Sequence, residues 1–378
     1  MPQCPNLNRN NTLFAESRIE ETKLISQELL VCIKCGSDLF YKTDRFKCVK
    51  CEKEWPVLGE IPLFVKDIDA YIRTTLARAE VAKEKALGRL VQSLRALNPE
   101  TEQEHFQHQS LMKVLEAQVS NFIFVEDILR PLHTKHPIEG EIDTRDLDPY
   151  LVGYGPIATF EYLLQDWRSD TDEALKLIDR YLPERCSRAV LLGSGAGRGL
   201  AVLADRAQEV IGVELSYLLA RSSAILCNNH SISLREVRLN HVKRLSDRVT
   251  VHDLRRVEEA QRSVKVIVAD ATRTPLRNQS ADWVVASLLF DLLPDGRLLL
   301  HEIRRIISPG GTVVILTMFG YEHDNLWNYY SPEQIVNLLK ECGFYDLSVS
   351  WHEHSHLDSP KSLVTRRSQM LRIIARAA

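Results

Sequence analysis

Two groups of residues in this chain have types and spacings that can do chemistry. The first is Val190-Leu191-Leu192-Gly193-Ser194-Gly195-Ala196-Gly197, an apolar run that enters a turn with three glycines, with a helix expected from Arg198. Glycines let a backbone turn tightly and come close to a ligand, and a helix N-terminus offers free N–H donors. Alone, the pattern also suits a loop that faces a pyrophosphate. Two acids sharpen it. Val210-Ile211-Gly212-Val213-Glu214 ends in a carboxylate that can accept from both hydroxyls of a ribose. Val266-Ile267-Val268-Ala269-Asp270 ends in one that can accept from an adenine amino group, and Ala271 follows it. Glycines, acid and acid at three successive strand ends describe a nucleoside-shaped site at the carboxyl edge of an open α/β sheet.

The second group is Cys32-Ile33-Lys34-Cys35 and Cys48-Val49-Lys50-Cys51. Each pair can set two thiolates on one turn, and the four complete a tetrahedral sulfur site for zinc. Such a site has no open position, so Cys32, Cys35, Cys48 and Cys51 are expected to hold a structural Zn2+ rather than a catalytic one. The other cysteines, Cys4, Cys186, Cys227 and Cys342, are scattered. That usage points to a reducing, cytoplasmic compartment rather than to disulfides.

The elements that must position these groups follow from periodicity. A polar leader turns helical around Leu13–Leu30, and the cysteine segment ends near Val65. From Ile68 to Arg130 the composition is helix-forming, with Leu90, Val91, Leu94 and Leu97 at helical spacing and a break at Pro99. The Pro- and Gly-rich stretch from Pro131 to Pro156 reads as a long connecting loop, either a lid or a plain linker. Helices are expected over Ile157–Gln165 and Thr171–Tyr181. Short apolar runs at 189–192, 210–213, 264–268, 283–287, 312–316, 347–351 and 371–375 then alternate with helical segments. That alternation implies a mostly parallel sheet with helices on both faces, closed by an antiparallel pair at the C-terminus. Residues 1–66 are read as leader and ribbon, 67–156 as a helical region with the lid-like loop, and 157–378 as the main α/β domain.

The chain has 378 residues and a formal net charge of −3, and its sequence pI is near 6.5. That balance removes the easy argument for a phosphate-gripping protein. The apolar run from Trp283 to Leu293 is broken by Ser287 and Asp291 and is too short to span a bilayer, so no membrane partner is expected. The start, MPQCPNLNRNN, lacks the layout of an export signal.

The glycine loop, Glu214 and Asp270 resemble the first three motifs of the class I S-adenosylmethionine-dependent methyltransferases. Ser280–Ala286 resembles that family's fourth strand, Ile306–Thr312 its Pro-Gly-Gly turn into strand five, and Ser331-Pro332-Glu333 with Cys342-Gly343-Phe344 its late region. The resemblance covers Ala189 to about Ala378. It implies a doubly wound, seven-stranded, mostly parallel Rossmann-like α/β sheet, here with a small N-terminal zinc ribbon and a helical insertion. It implies S-adenosylmethionine as cofactor, held by Gly193, Gly195, Gly197, Arg198, Glu214, Asp270, Ala271 and Ser287. One position departs: Leu191 stands where many members carry an acid that helps organise the methionine end of the cofactor. The segment Leu30–Phe64, with Trp55-Pro56-Val57 and Gly59-Glu60-Ile61-Pro62, resembles the zinc ribbon of a small partner protein of tRNA and protein methyltransferases. A related ribbon precedes the catalytic domain in some ribosomal RNA guanine methyltransferases.

The acceptor is less legible, because methyl transfer from a sulfonium needs no enzyme nucleophile. The segment Phe160–Ser169, with Asp166-Trp167-Arg168, and the pair Phe290-Asp291 show a patchy resemblance to carnosine N-methyltransferases. It implies that Asp291 orients an imidazole or amine, and Met318–Tyr321 sits where that family has a Pro-Leu-Leu-Tyr-His run. Tyr321, His323, Trp327, Tyr329 and Tyr330 can wall such a pocket; Asp291 and Tyr321 are the acceptor-side candidates, with a capping acid as the alternative role of Asp291. The expected substrate is a small molecule or peptide accepting at nitrogen. RNA is the competitor: Arg235, Arg238, Lys243, Arg244, Arg248, Arg255, Arg256 and Arg262 can follow phosphates, or form a solvated helical face with their neighbouring acids. A third reading is a cofactor-binding scaffold without catalysis. His352, His354 and His356 are expected in an exposed loop. The oligomeric state is left open.

Overall fold

The computed structural model describes residues 24–135, 149–168, 185–255, 264–321, 325–355 and 367–378, together with Ile178, Arg180 and Leu182. Four short strands come first, β1 (Leu39–Lys42), β2 (Arg45–Cys48), β3 (Glu54–Leu58) and β4 (Ile61–Phe64). Two long helices follow, α1 (Ile68–Ala96) and α2 (Glu102–Lys135), then the short α3 (Pro149–Val152) and α4 (Pro156–Trp167). The alternating region runs β5 (Cys186–Leu192), α5 (Arg198–Ala204), β6 (Ala207–Glu214), α6 (Tyr217–Cys227), β7 (Ile232–Val237), β8 (Val249–Leu254), β9 (Val264–Ala269) and β10 (Ala281–Ser287). It closes with α7 (Gly296–Ile306), β11 (Ile307–Thr317), α8 (Pro332–Glu341), β12 (Phe344–Ser355) and β13 (Arg367–Ala377).

The main sheet has eleven strands rather than the seven expected, in the order β1-β2-β3-β4-β9-β6-β5-β10-β11-β13-β12. Seven of them, β9 to β12 in that order, follow the expected plan: β9, β6, β5, β10 and β11 are parallel neighbours, and β13 and β12 are antiparallel. The extra four are the cysteine-bearing strands. They join because β4 pairs in parallel with β9, with Leu63 opposite Val268 and Phe64 opposite Ala269. An open edge at β9 is thereby covered, which removes an aggregation-prone row of unpaired amides.

Alternation along the central strands explains why they read as continuous apolar runs. In β5, Ala189 and Leu191 face one apolar cluster while Val190 and Leu192 face another. The same holds in β10 for Trp283 and Val285 against Val284 and Ala286. Both faces are covered, so these positions are all buried. Helices α1, α2, α4, α5 and α6 contribute to the first cluster, through residues such as Ile72, Ile128, Leu163, Leu200 and Leu219. Helices α7 and α8 and the cysteine-bearing strands contribute to the second, through Leu299, Ile303, Ile335, Phe46 and Trp55.

Several expectations are corrected. Pro131 lies inside α2 near its C-terminal end, not at the start of a loop. Of the Pro131–Pro156 stretch, residues 136–148 lie outside the described ones, and Pro149–Val152 is helical. The described part of the basic stretch, residues 235–255, is not a helical face: β7 and β8 form an antiparallel hairpin with Ile232 opposite Leu254. Burial alternates along β7, with Ile232 and Leu234 inside, a two-residue period that the surrounding charges obscured. Among the described residues of the leader, a single 3₁₀ turn forms at Gln27–Leu29. His352 and His354 are on β12, with His354 only 4% exposed; His356 and most of Thr171–Tyr181 lie outside the described residues.

Phe64 sits at the seam, 1% exposed, with the rings of Phe46 and Trp55 5.7 and 5.8 Å away. Phe64→Ala is expected to lower stability by about 3–5 kcal/mol in urea denaturation. Because one sheet runs through both parts, the loss is expected in a single transition. A separate early transition of residues 24–66 alone would contradict the continuity of the sheet.

Candidate functional site

The parallel strands β5, β6, β9 and β10 deliver the glycine loop, Glu214, Asp270 and Ser287 to one edge of the sheet. Gly193, Gly195 and Gly197 all have left-handed backbones, with φ of 65°, 54° and 91°. They are needed for different reasons. A Cβ at Gly197 would lie 2.4 Å from Cβ of Ser223 on α6, so packing forbids a side chain there. A Cβ at Gly195 would meet nothing nearer than Oδ2 of Asp166 at 4.0 Å, so that backbone is open to approach.

Glu214 is 7% exposed. Its Oε2 accepts from Gly195 N–H at 2.8 Å and its Oε1 from Ser216 N–H at 2.9 Å. Burial pushes its carboxyl above the usual range, against these backbone donors. Asp270 is exposed at the next strand end, with Oδ1 accepting from the backbone N–H and hydroxyl of Thr272 at 2.8 and 2.7 Å. Ala271 is buried behind it. Ser287 is the last residue of β10, opposite Leu316. Arg198 opens α5 with its guanidinium 5.5 Å above the Trp167 ring.

Other elements fasten this edge. Tyr71 on α1 donates its hydroxyl to Leu215 O at 2.6 Å and accepts from Tyr217 N–H at 3.0 Å. Ser216 donates to Tyr154 O at 2.9 Å, and Arg78 donates to Gly153 O at 2.6 Å. The described part of the lid-like stretch therefore lies directly beside the strand end that bears Glu214. Neither Tyr71 nor Ser216 stood out in the sequence, because their partners are 144 and 62 residues away.

Sequence reasoning noted Asp166-Trp167 only as part of a resemblance. In the structure α4 ends against the glycine loop. Trp167 donates its indole N–H to Ala196 O at 2.7 Å. The Asp166 carboxylate is within reach of the Ala196 amide and in the field of Arg198; burial outweighs both and pushes its pKa up to about 7. Leu191, by contrast, is 2% exposed among apolar neighbours on the α4 side of the sheet, where a carboxylate would have no solvent.

The acceptor-side candidates are held tightly. Asp291 follows β10 in a 3₁₀ turn and is 3% exposed. It accepts from Thr317 Oγ1 at 3.0 Å and from Gly320 N–H at 2.7 Å, which ties the ends of β10 and β11 together. Leu288 and Phe319, just past those two strand ends, both have positive φ, at 52° and 59°. Bends of this kind in non-glycine residues cost energy and concentrate at functional sites. Tyr321 donates its hydroxyl to Tyr330 O at 3.0 Å and accepts from Tyr330 N–H at 3.1 Å. Burial raises its pKa to about 12, which excludes it as a base at neutral pH. Its ring stacks on Tyr329 at 4.6 Å, and Phe319 links it to Trp351 at 5.8 Å. Trp327 is 93% exposed beside them, and His323 lies outside the described residues.

Residues 190–315 match the family model described as a methyltransferase domain. The chain carries a methyltransferase domain. No curated protein sequence matches it. Among solved structures it is similar to an S-adenosylmethionine-dependent methyltransferase of Thermotoga maritima, with 18% identity over 59% of this chain and 92% of that one and a TM-score of 0.34. It is similar to phosphoethanolamine N-methyltransferase 2 of Haemonchus contortus, with 17% identity over 63% and 60% and a TM-score of 0.39. A third is a chain of the Haloferax volcanii complex between the Trm112 methyltransferase activator and a methyltransferase, with 16% identity over 58% and 94% and a TM-score of 0.40.

The four N-terminal cysteines converge. The sulfurs of Cys32, Cys35, Cys48 and Cys51 all lie within 4.8 Å of one another. Cys32 and Cys51 are 3.6 Å apart, and Cys35 and Cys48 3.4 Å. The amides of Lys50 and Cys51 both point at the Cys48 sulfur at 3.4 Å. No helix among the described residues is long and apolar enough to cross a membrane.

Asp166 gives this site a pH signature. Its folded pKa of about 7 lies above the ordinary value of 3.8. The folded state therefore keeps a proton that the unfolded chain has released, and stability falls as pH rises between those values and levels off above about 7. Asp166→Asn is expected to match the wild type near pH 4. Above pH 7 it should be the more stable, by on the order of 1 kcal/mol after allowance for residual solvent screening. Urea denaturation of cofactor-free protein at the two pH values measures this; a destabilised variant at pH 8 would refute it.

Proposed function

We propose that this methyltransferase holds S-adenosylmethionine on the 193–197 loop, with Glu214 receiving the ribose hydroxyls and Asp270 the adenine amino group. The observation that carries this is the meeting of an open Gly195 backbone and a buried carboxylate at the carboxyl edge of β5 and β6. Ala271 and Ser287 line the same edge, and Arg198 faces the loop from α5. The cofactor supplies a methyl group on a positively charged sulfur. The protein contributes position, desolvation and alignment for attack in line with the departing sulfur.

The acceptor we infer is a nitrogen nucleophile of a small molecule or peptide. The aromatic wall of Phe319, Tyr321, Tyr329 and Trp351 supports this, because ring faces attract amine and imidazolium groups. In this reading Asp291 is a positioning residue: it holds Gly320, and through it the turn that presents Tyr321. The RNA reading rested on the basic stretch, and much of that stretch is engaged within the fold. Arg235 bonds Ser120, Arg238 pairs with Glu236, and Arg248 bonds Gln107 and Ser110. Arg256 and Arg262 lie outside the described residues.

The four cysteines we assign to structural zinc. A tetrahedron with sulfur ligands at ~2.3 Å has edges of about 3.8 Å, close to the sulfur spacings here. Cys32 and Cys48 pack in the same cluster as Phe46, Trp55 and Phe64, so the ion would brace the strands that cover the β9 edge.

Calorimetric titration with S-adenosylhomocysteine tests the cofactor reading. Wild type is expected to bind, and Glu214→Ala to lose at least about tenfold in affinity, since it removes a buried acceptor of two hydroxyl groups. Equal affinity in the variant would reject the assignment of Glu214. Purified protein is expected to contain one zinc per chain, and Cys48→Ser to lose it and melt at lower temperature, as metal-coupled folding requires. Full stability without zinc would reject the metal site.

A further inference from the structure

We propose that Asp166, at the C-terminal end of α4, is the specificity residue for the α-ammonium group of the cofactor's methionine moiety. It takes over from another element the role that Leu191 cannot perform. The inference rests on the methyltransferase reading of the glycine loop and extends it to a residue outside that motif.

Three observations converge on it. First, Asp166 Oδ2 stands 4.0 Å from the point where a Gly195 side chain would begin, and among the described residues beyond Gly195's chain neighbours no other heavy atom comes within that distance. The carboxylate therefore borders the open side of the loop. Second, the contact is built rather than incidental. Leu163, Leu164, Phe160 and Trp167 bury one face of α4, and the Trp167 indole bonds Ala196 O at 2.7 Å, which fixes where the preceding residue points. Arg168, the next residue, lies 3.7 Å from Glu236 with both side chains 8% exposed, which anchors the helix end from the other side. Third, Asp166 is half-buried, and desolvation outweighs the Ala196 amide and the Arg198 charge in raising its pKa. A carboxylate that destabilises the cofactor-free fold is understandable when its partner is a cation that arrives with a ligand.

The geometry also divides the labour across the loop. Glu214 grips the Gly195 amide from the β6 side, toward the ribose. Asp166 reaches the Gly195-Ala196 segment from the α4 side. One carboxylate lies on each flank, so the two ends of an amino-acid nucleoside are read by acids on different elements. Leu191 is thereby free to be apolar and to fill the core between β5 and α4.

The test uses two probes, S-adenosylhomocysteine and its desamino analogue, which lacks only the α-amino group, titrated calorimetrically into wild type and Asp166→Asn. Asparagine keeps the shape and the acceptor for the Ala196 amide and removes the charge. Wild type is expected to prefer S-adenosylhomocysteine by about tenfold or more, the usual scale of a charge-assisted hydrogen bond. Asp166→Asn is expected to lose that preference while binding the desamino analogue within about twofold of wild type. Four results would overturn the proposal: no preference in wild type, an unchanged preference in the variant, equal weakening of both probes, or a variant that melts well below wild type at pH 8. Failure of wild type to bind S-adenosylhomocysteine at all would instead remove the cofactor reading on which the proposal rests.

Discussion

The hydrogen bond from Gly195 N–H to Glu214 joins the ends of two neighbouring strands, and the rest of the site is arranged around it. It requires a left-handed turn directly after β5, which only glycine adopts without strain. It requires Glu214 to be buried, although a buried carboxylate is costly without donors. Two backbone amides supply those donors, and Tyr71, Ser216 and Tyr154 then fasten the segment that carries them. Helix α6 follows so closely that Gly197 has no room for a side chain. Each neighbour is explained by the need to keep one polar pair in place at the end of an apolar sheet.

The cysteine-bearing strands are part of the same construction. By pairing with β9 they extend the hydrogen-bonded sheet past the strand that carries Asp270. Arg277, seven residues further along, donates to Glu28 O and pairs with Asp38. The N-terminal segment also bridges the loop after β9, with Leu30 opposite Leu276. The cysteine-bearing strands are therefore continuous with the strand end that carries Asp270 in both backbone pairing and core, and their integrity bears on the loop that follows it. This gives a small sulfur-rich module a physical part in the larger domain.

On the acceptor side the structure redistributes roles. Asp291 and Tyr321 were singled out as polar groups that could meet a substrate. Their polar atoms are committed to Thr317, Gly320 and Tyr330. What is left toward solvent is aromatic surface, with Trp327 and Trp351 prominent. The polar residues fix the backbone, and in the proposed reading the rings provide the contact area. This division suits a reaction in which placement of the nucleophile matters more than proton transfer.

The parts legible in the sequence were those whose signal is local. Three glycines after an apolar run, acids closing two later runs, and two C-x-x-C pairs are each contained in a few residues. Buried parallel strands must be apolar throughout, so β5, β6, β9, β10 and β11 were all visible. The hairpin β7–β8 was not, because only Ile232 and Leu234 mark its inner face and the charges around them suggested a helix. The pairing of β4 with β9 spans some two hundred residues, and nothing in either strand names its partner. The same holds for Asp166, one acid among many until α4 is packed on the loop 29 residues ahead of Trp167. The sequence by itself determined the chemistry available at each strand end, since residue type and strand period are local properties. The tertiary structure alone decided which carboxylates face the glycine loop and which are spent as anchors, because burial and hydrogen-bond partners exist only once distant segments meet.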